Sequence, residues 1–585
     1  MFGKILSIVD DNVIIENAAK KIESSIINAH VIFEFRDKKI IGEIIEMTDE
    51  VIKVVLVGEL ENGDFTQGII KKPAVDSSIR MIHKDELETL LGKQDTTSRE
   101  WLYVGKSTVY DGYNVSVDIN KFFNSHFAIM GNTGAGKSCS VARLLQNIFL
   151  DNNKEHPVKA NICIFDVYGE YHSAFNAINV VPGVNYKNLT TKVDVVEGEI
   201  VKLPPYFLEA DDIALILGVD DSKQIPIIEK ALKLVYIFTE NEAVVKDHKN
   251  YIIAQALLDI LSSGKTSTQL RDQVLAVLSK FNTADINLES QIVQPGYTRS
   301  LRQCLNIDTT GKMNSINLVV AFLETFTKVT MKLERPETGF YYTFEDLLLA
   351  LDFALISEGI LKSDKVFDKA NILKVRLDTL VHSNLGKYFE YDDLITKEDF
   401  VRKLFTASNN EKAQILNMNL NYIDERFAKV LTKIYSKLFF DVSVKAEQRG
   451  GFPIQIILEE AHRYVMNDTD TEIIGYNVFD RITKEGRKYG VILGLISQRP
   501  SELSNTALSQ CSNFLVFRMY HPADLEIVSS LSSAVTEESI QKLKTLKPGM
   551  ALGFGTAFKL TQLIRMDMPN PAPQSSSANL IDTWY

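Results

Sequence analysis

The segment IMGNTGAGKSCS, from Ile129 to Ser140, constrains this chain more than any other stretch of it. It fits the Walker A pattern G-x-x-x-x-G-K-S. The short apolar run HFAIM precedes it, which predicts a buried strand. Val141, Leu144, Leu145, Ile148 and Phe149 follow it at the spacing of one helix face. Strand, glycine loop and helix form the context in which such a loop cradles phosphate. Glycines let backbone N–H groups approach phosphate oxygens, and the helix N-terminus adds partial positive charge. The candidate ATP-binding residues are Gly131, Asn132, Thr133, Gly134, Ala135, Gly136, Lys137, Ser138 and Cys139. Lys137 is placed to reach the β- and γ-phosphates and Ser138 to ligate Mg2+. The predicted fold class is α/β.

Such a loop needs a carboxylate on a neighbouring strand. In IQIILEEAHRY, the residues Ile454, Ile456, Ile457 and Leu458 predict a buried strand ending at Glu459 and Glu460. Adjacent side chains at a strand end point in different directions. Glu459 is assigned to the Mg2+ ion, through water, and Glu460 to polarising the attacking water. Three further apolar runs carry polar residues where they end or just beyond. NICIFDVYGEY has Asp166 and Glu170, GVILGLISQRP has Gln498, and NFLVFRMY has Arg518. Runs that do not alternate suit a parallel sheet covered on both faces, and open α/β sheets bind ligands at the carboxyl ends of their strands. Asp166 joins the catalytic candidates, and Gln498 is the candidate sensor of the γ-phosphate. The turn KEGRKYG adds Lys484, Arg487 and Lys488. Ring ATPases take a transition-state cation from the neighbouring subunit. Arg487 is the first candidate for that role and Arg518 the second.

In this order, GNTGAGKS, FDVYGEY, LEEAHRY, EGRKYG and ISQRPSELS resemble the HerA family of hexameric ATPases, relatives of the FtsK DNA pumps. The resemblance covers about residues 125–175 and 450–565. It implies a RecA-like core, a homohexameric ring, ATP-driven translocation on double-stranded DNA, and an arginine of GRKYG acting in trans. Members often carry a basic residue before the histidine that opens the P-loop strand; here that position is Ser125, before His126. Rings of this kind resemble modules that work with a partner effector, a nuclease or a sirtuin-like NAD+ hydrolase, in end processing or antiphage defence. The rival expectation is a nucleotide-dependent scaffold that assembles and activates such an effector without processive movement. A third, a secretion-type ATPase that moves protein, shares the core motifs.

The remaining sequence predicts the layout. Residues 1–95 read as short strands of a small β-barrel, 96–205 and 446–566 as the two parts of the ATPase core, 206–445 as an inserted helical subdomain, and 567–585 as a tail. The 585-residue length suits several domains. No apolar run approaches the roughly 20 residues that span a bilayer. Asp10, Asp11 and Glu16 interrupt the start where a signal peptide would be apolar. Cys139, Cys163, Cys304 and Cys511 are scattered without a CxxC pair, which suits a reducing, cytoplasmic setting. A net charge of −12 disfavours a surface that grips nucleic acid all over, though not one that grips it through a few loops.

Overall fold

The structure is a computed structural model, and it describes residues 2–18, 26–61, 63–94, 98–150, 155–194, 198–328, 339–359, 364–466, 470–532, 535–574 and 584. The chain divides into two compact units, one of residues 1–199, 397–468 and 476–585, the other of residues 200–396 and 469–475. No described helix is long and apolar enough to cross a membrane.

The first unit holds two sheets. The N-terminal one is antiparallel, with strands in the order Phe2–Val9, Asn12–Asn17, Val51–Glu61, Lys38–Met47, His30–Phe35 and Ser78–Met81; Asp64–Gln67 pairs with Val51–Glu61. Its hairpins are local, as the short polar turns require: Phe35 pairs with Lys38 across Arg36, whose φ is 52°. Alternation sends Ile52, Val54 and Leu56 into the sheet's own apolar core. A second cluster joins this region to the rest of the unit, where Ile32, Ile41 and Leu90 meet Leu560.

The second sheet has 12 strands. Seven run parallel in the order Tyr186–Thr190, Ile415–Asn419, Ile162–Asp166, Ile454–Leu458, Val491–Ser497, Phe127–Met130 and Asn513–Phe517. Five of them, all but the first two in that order, were expected as buried strands. Ile162–Asp166, Val491–Ser497 and Phe127–Met130 are buried at every residue. Met550–Gly555, Gln562–Arg565, Trp101–Ser107 and Asn114–Asp118 extend the sheet antiparallel beyond Asn513–Phe517. The helix Lys137–Phe149 covers the sheet with Val141, Leu144, Leu145, Ile148 and Phe149 buried, the stripe its spacing predicts.

The helical reading of residues 206–445 is corrected at its carboxyl end. Ile415–Asn419 is a strand paired with both Ile162–Asp166 and Tyr186–Thr190. The stretch Leu416–Asn421 alternates apolar and polar residues, a strand period that the helical reading passed over because the long helix behind it hides its end. Asp424 closes the connection, accepting from the Phe427 N–H at 2.9 Å and so capping the helix Glu425–Lys445.

The second unit is mostly helical, with long helices Glu242–Leu261, Ser267–Lys280, Phe344–Gly359 and Asp364–Val381. Thr266 caps the second of these through a reciprocal bond with Gln269. Phe238, Phe281 and Phe353 form an aromatic core, with ring centroids 4.9–6.1 Å apart. The tail from Asp567 to Gln574 lies along its own unit: Tyr103 donates to Asp567, Gln146 to the Pro571 carbonyl, and the Gln574 N–H to the Glu170 carbonyl. Of the remaining tail, only Trp584 lies within the described residues, and it is exposed.

Candidate functional site

Parallel pairing puts the carboxyl ends of five neighbouring strands on one edge of the sheet. The loop Gly131–Gly136 leaves Phe127–Met130, the strand between Val491–Ser497 and Asn513–Phe517. Its first bonds go sideways: the Gly131 N–H donates to the Ser497 carbonyl at 3.2 Å and the Asn132 N–H to the Arg518 carbonyl at 2.9 Å. Gly131 has a φ of 151°, and a Cβ there would stand 2.6 Å from Phe517 Cβ, so only glycine lets the loop pass so close to the adjacent strand. Gly136, with a φ of 110°, opens the helix and leaves its first N–H groups without intrahelical partners. Lys137 folds back over the loop to donate to the Asn132 carbonyl at 3.3 Å. Burial pushes its pKa down, while Glu460, Glu459 and Glu170 hold it up. Cys139 is half-buried, and burial pushes its thiol pKa up.

Glu459 is 3% exposed. Its Oε1 accepts from Ser138 Oγ at 3.2 Å and its Oε2 from the Tyr171 hydroxyl at 2.5 Å. Burial pushes its pKa up to about 8, Glu460 and Asp166 push the same way, and the Tyr171 bond and Lys137 oppose them. Glu460 has a φ of 49°, uncommon for a residue with a side chain. Burial raises its pKa, against Lys137 and the backbone N–H of Gln498. Glu460 Oε2 is buried without a hydrogen-bond donor among the described residues, and His462 Nδ1 lies 3.3 Å away. Burial also pushes the His462 imidazole down, toward its neutral form.

Asp166 is fully buried, and its carboxylate is spent on structure. It accepts from the N–H groups of Glu170 at 3.1 Å and Tyr171 at 3.0 Å, and from Asn417 Nδ2 at 3.2 Å. Tyr171 and Asn417, unassigned in the sequence, are therefore part of the site. Tyr171 ends the motif FDVYGEY, where a phenol beside Asp166 and Glu170 was the available signal; Asn417 had none. Gln498 sits at the loop tip, where its Oε1 accepts from Thr133 Oγ1 at 2.6 Å. Asn132, Thr133, Gln498 and Arg518 line one wall of a cleft of about 800 Å³. Arg518 is thus beside its own chain's loop, with its guanidinium 5.5 Å from the centre of the Tyr520 ring.

Arg487 is elsewhere. It lies in the turn Gly486–Tyr489, before the seven-residue strand Val491–Ser497 whose far end carries Gln498. At about 3.3 Å per residue, roughly 20 Å of strand separates it from its own loop. Ser125 is buried, and His126 Nδ1 accepts from the Leu493 N–H at 2.9 Å, which ties the start of the P-loop strand to its neighbour.

Four carboxyl groups, Asp166, Glu170, Glu459 and Glu460, thus interact around one ammonium group, Lys137. The carboxyl oxygens of Glu170, Glu459 and Glu460, presented with the Ser138 hydroxyl, are an oxygen-only donor set that fits a hard divalent cation such as Mg2+.

Residues 102–319 match the family model described as "Helicase HerA, central domain". The chain is 23% identical over 531 residues to the DNA double-strand break repair helicase HerA of Pyrococcus furiosus, covering 90% of this chain and 79% of that protein. It is 25% identical over 463 residues to the probable helicase MJECL08 of Methanocaldococcus jannaschii, covering 79% and 70%. Among solved structures, VirB4 of Thermoanaerobacter pseudethanolicus is similar with a TM-score of 0.43 and 14% identity, covering 80% of this chain and 96% of that one.

Proposed function

Because the chain belongs to the HerA helicase family and carries a P-loop ATPase site, we propose that it is an ATP-hydrolysing motor that translocates on double-stranded DNA as a homohexameric ring. The observation that carries the reading is the pairing of Ser138 with Glu459 at 3.2 Å, with Glu460 the next residue and Lys137 the one before Ser138. Glycine-loop N–H groups and Lys137 bind the phosphates, and Ser138 and Glu459 hold Mg2+. The metal, when bound, neutralises phosphate charge and orients the terminal phosphoryl group. Glu460 keeps an acceptor oxygen free of protein donors, which suits it to orient and polarise the attacking water. Gln498 reads the terminal phosphate through its place at the Thr133 tip. Asp166 acts through Tyr171 and the backbone, as a positioning residue.

The distance of Arg487 from its own loop supports its action on a neighbouring subunit's nucleotide. The chain's relatives are DNA repair helicases by name, which supports duplex DNA as the track. The site accounts for energy use and not for damage to a target. Work with a partner effector, a nuclease or a sirtuin-like NAD+ hydrolase, in end processing or antiphage defence within the cytoplasm, completes the proposal. The test is the ATPase rate of the purified protein with and without duplex DNA. Strong stimulation supports the motor. No stimulation, with effector activity that depends on the ring, replaces it with a scaffold.

A further inference from the structure

We propose that Tyr171 is a positioning residue that sets Glu459 for the metal, through a hydroxyl held rigid from the neighbouring strands. The inference rests on the reading of this site as a Mg2+–nucleotide site.

Each oxygen of Glu459 is held by a different hydroxyl. Ser138 from the P-loop helix takes Oε1 and Tyr171 takes Oε2. Ser138 is a ligand-side group and exchanges its bond when a cation arrives. Tyr171 is fully buried, and its hydroxyl bonds Glu459 Oε2 while standing within hydrogen-bond reach of Ser138. Its bond fixes rotation of the carboxylate about its last torsion and leaves Oε1 facing Ser138.

Tyr171 is itself fixed at three points. Its N–H donates to Asp166 Oδ2 at 3.0 Å. Its ring stacks on Phe175, with centroids 5.5 Å apart and planes 9° from parallel. The turn before it passes so close to the next strand that a Cβ on Gly169 would meet Asn419 Nδ2 at 2.7 Å. Asp166 is braced in turn by Asn417, which also donates to Asn188 at 3.0 Å. The bracing therefore runs across three strands, from Tyr186–Thr190 through Ile415–Asn419 to Ile162–Asp166, and ends on the carboxylate.

A phenylalanine would fill the same space and keep the stack. A buried phenol costs free energy unless its hydroxyl is bonded, and the bond the structure gives it is to Glu459. Loss of such an outer-shell partner typically weakens metal binding 10- to 100-fold.

The test is Tyr171→Phe, which removes one oxygen atom. Two equilibria are read in wild type and variant: affinity for a fluorescent ADP analogue in EDTA, and affinity of the ADP complex for Mn2+ by electron paramagnetic resonance. The Mg2+ concentration for half-maximal ATPase and the rate at saturating Mg2+ are measured alongside. We expect metal-free nucleotide affinity within about 2-fold of wild type, Mn2+ affinity lowered about 10-fold or more, and half-activation moved by a similar factor, with the saturated rate changed less. Unchanged Mn2+ affinity in a variant that binds nucleotide normally overturns the inference and leaves the site reading intact. Loss of metal-free binding as well makes the hydroxyl a general structural support and also overturns it. A wild-type chain that binds no nucleotide removes both readings together.

Discussion

The proposed function gives Lys137 and Glu460 different work, and their variants separate it. Lys137→Ala removes the cation at the loop, so nucleotide affinity should fall about 100-fold or more, as when a preorganised charge partner is lost. Glu460→Gln keeps size and leaves Lys137 in place, so it should bind Mg2+–ATP yet hydrolyse at least about 100-fold more slowly, since the amide polarises water poorly. Equilibrium binding with a fluorescent analogue and single-turnover hydrolysis check the two. A wild-type rate in Glu460→Gln moves the water-polarising role to Glu459 or Glu170.

Among elements, the P-loop strand depends on a glycine in its neighbour. Phe127 pairs with Gly494 in the parallel ladder, and a Cβ on Gly494 would stand 2.4 Å from Phe127 Cζ. Gly494→Ala should lower stability by about 1–3 kcal/mol through overpacking. Combining it with Phe127→Leu should recover part of that loss, because the two sites share one space; thermal midpoints of the four chains close the cycle. In the N-terminal sheet, Arg80 joins a strand end to the helix Leu87–Leu91 by donating to Glu34 at 2.7 Å and to Glu86 at 2.7 Å. The Arg80 bond holds the Glu86 carboxyl down from 4.5 to about 2. A depressed carboxyl stabilises the fold above its unfolded value, so this contribution is present above pH 4.5 and is lost as pH falls toward 2. We expect it to be about 1–2 kcal/mol after solvent screening. Arg80→Met should flatten that part of the stability–pH curve, followed by circular dichroism from pH 6 to pH 2 against wild type.

At the scale of the whole molecule, Arg487 stands roughly 20 Å along the strand from its own chain's glycine loop. If Arg487 serves a neighbour, specific ATPase activity should rise with protein concentration. Mixing Lys137→Ala with Arg487→Ala chains should then restore part of the activity that each lacks, since some interfaces regain both intact halves. Light scattering should report about six subunits, the number the family resemblance implies. A fully active monomer removes the trans assignment. We expect the N-terminal region, which carries no candidate catalytic group, to dock the effector; it also shares a buried cluster with Leu560, so deleting residues 1–95 strips a packed face as well. The oligomeric state of that truncation must be read in the same sample as effector capture.

The sequence by itself determined the phosphate loop, the strands around it and the neighbouring Glu459 and Glu460, because these are contiguous runs. A glycine loop between an apolar strand and a striped helix, and the largely apolar strand IQIIL with a carboxylate pair at its end, are patterns written in adjacent residues. The tertiary structure alone decided what those groups bond to. Tyr171 and Glu459 are 288 residues apart, and Asn417 and Asp166 are 251 apart. Sheet order brings each pair together, and no local pattern records it. Ile415–Asn419 is short and its alternation is brief, and its place between two parallel strands is set by the hydrogen bonds they offer it. The course of the tail to Gln574 was equally hidden, since its polar and proline residues describe a free end until the helix residue Gln146 and the Glu170 carbonyl supply the partners that hold it.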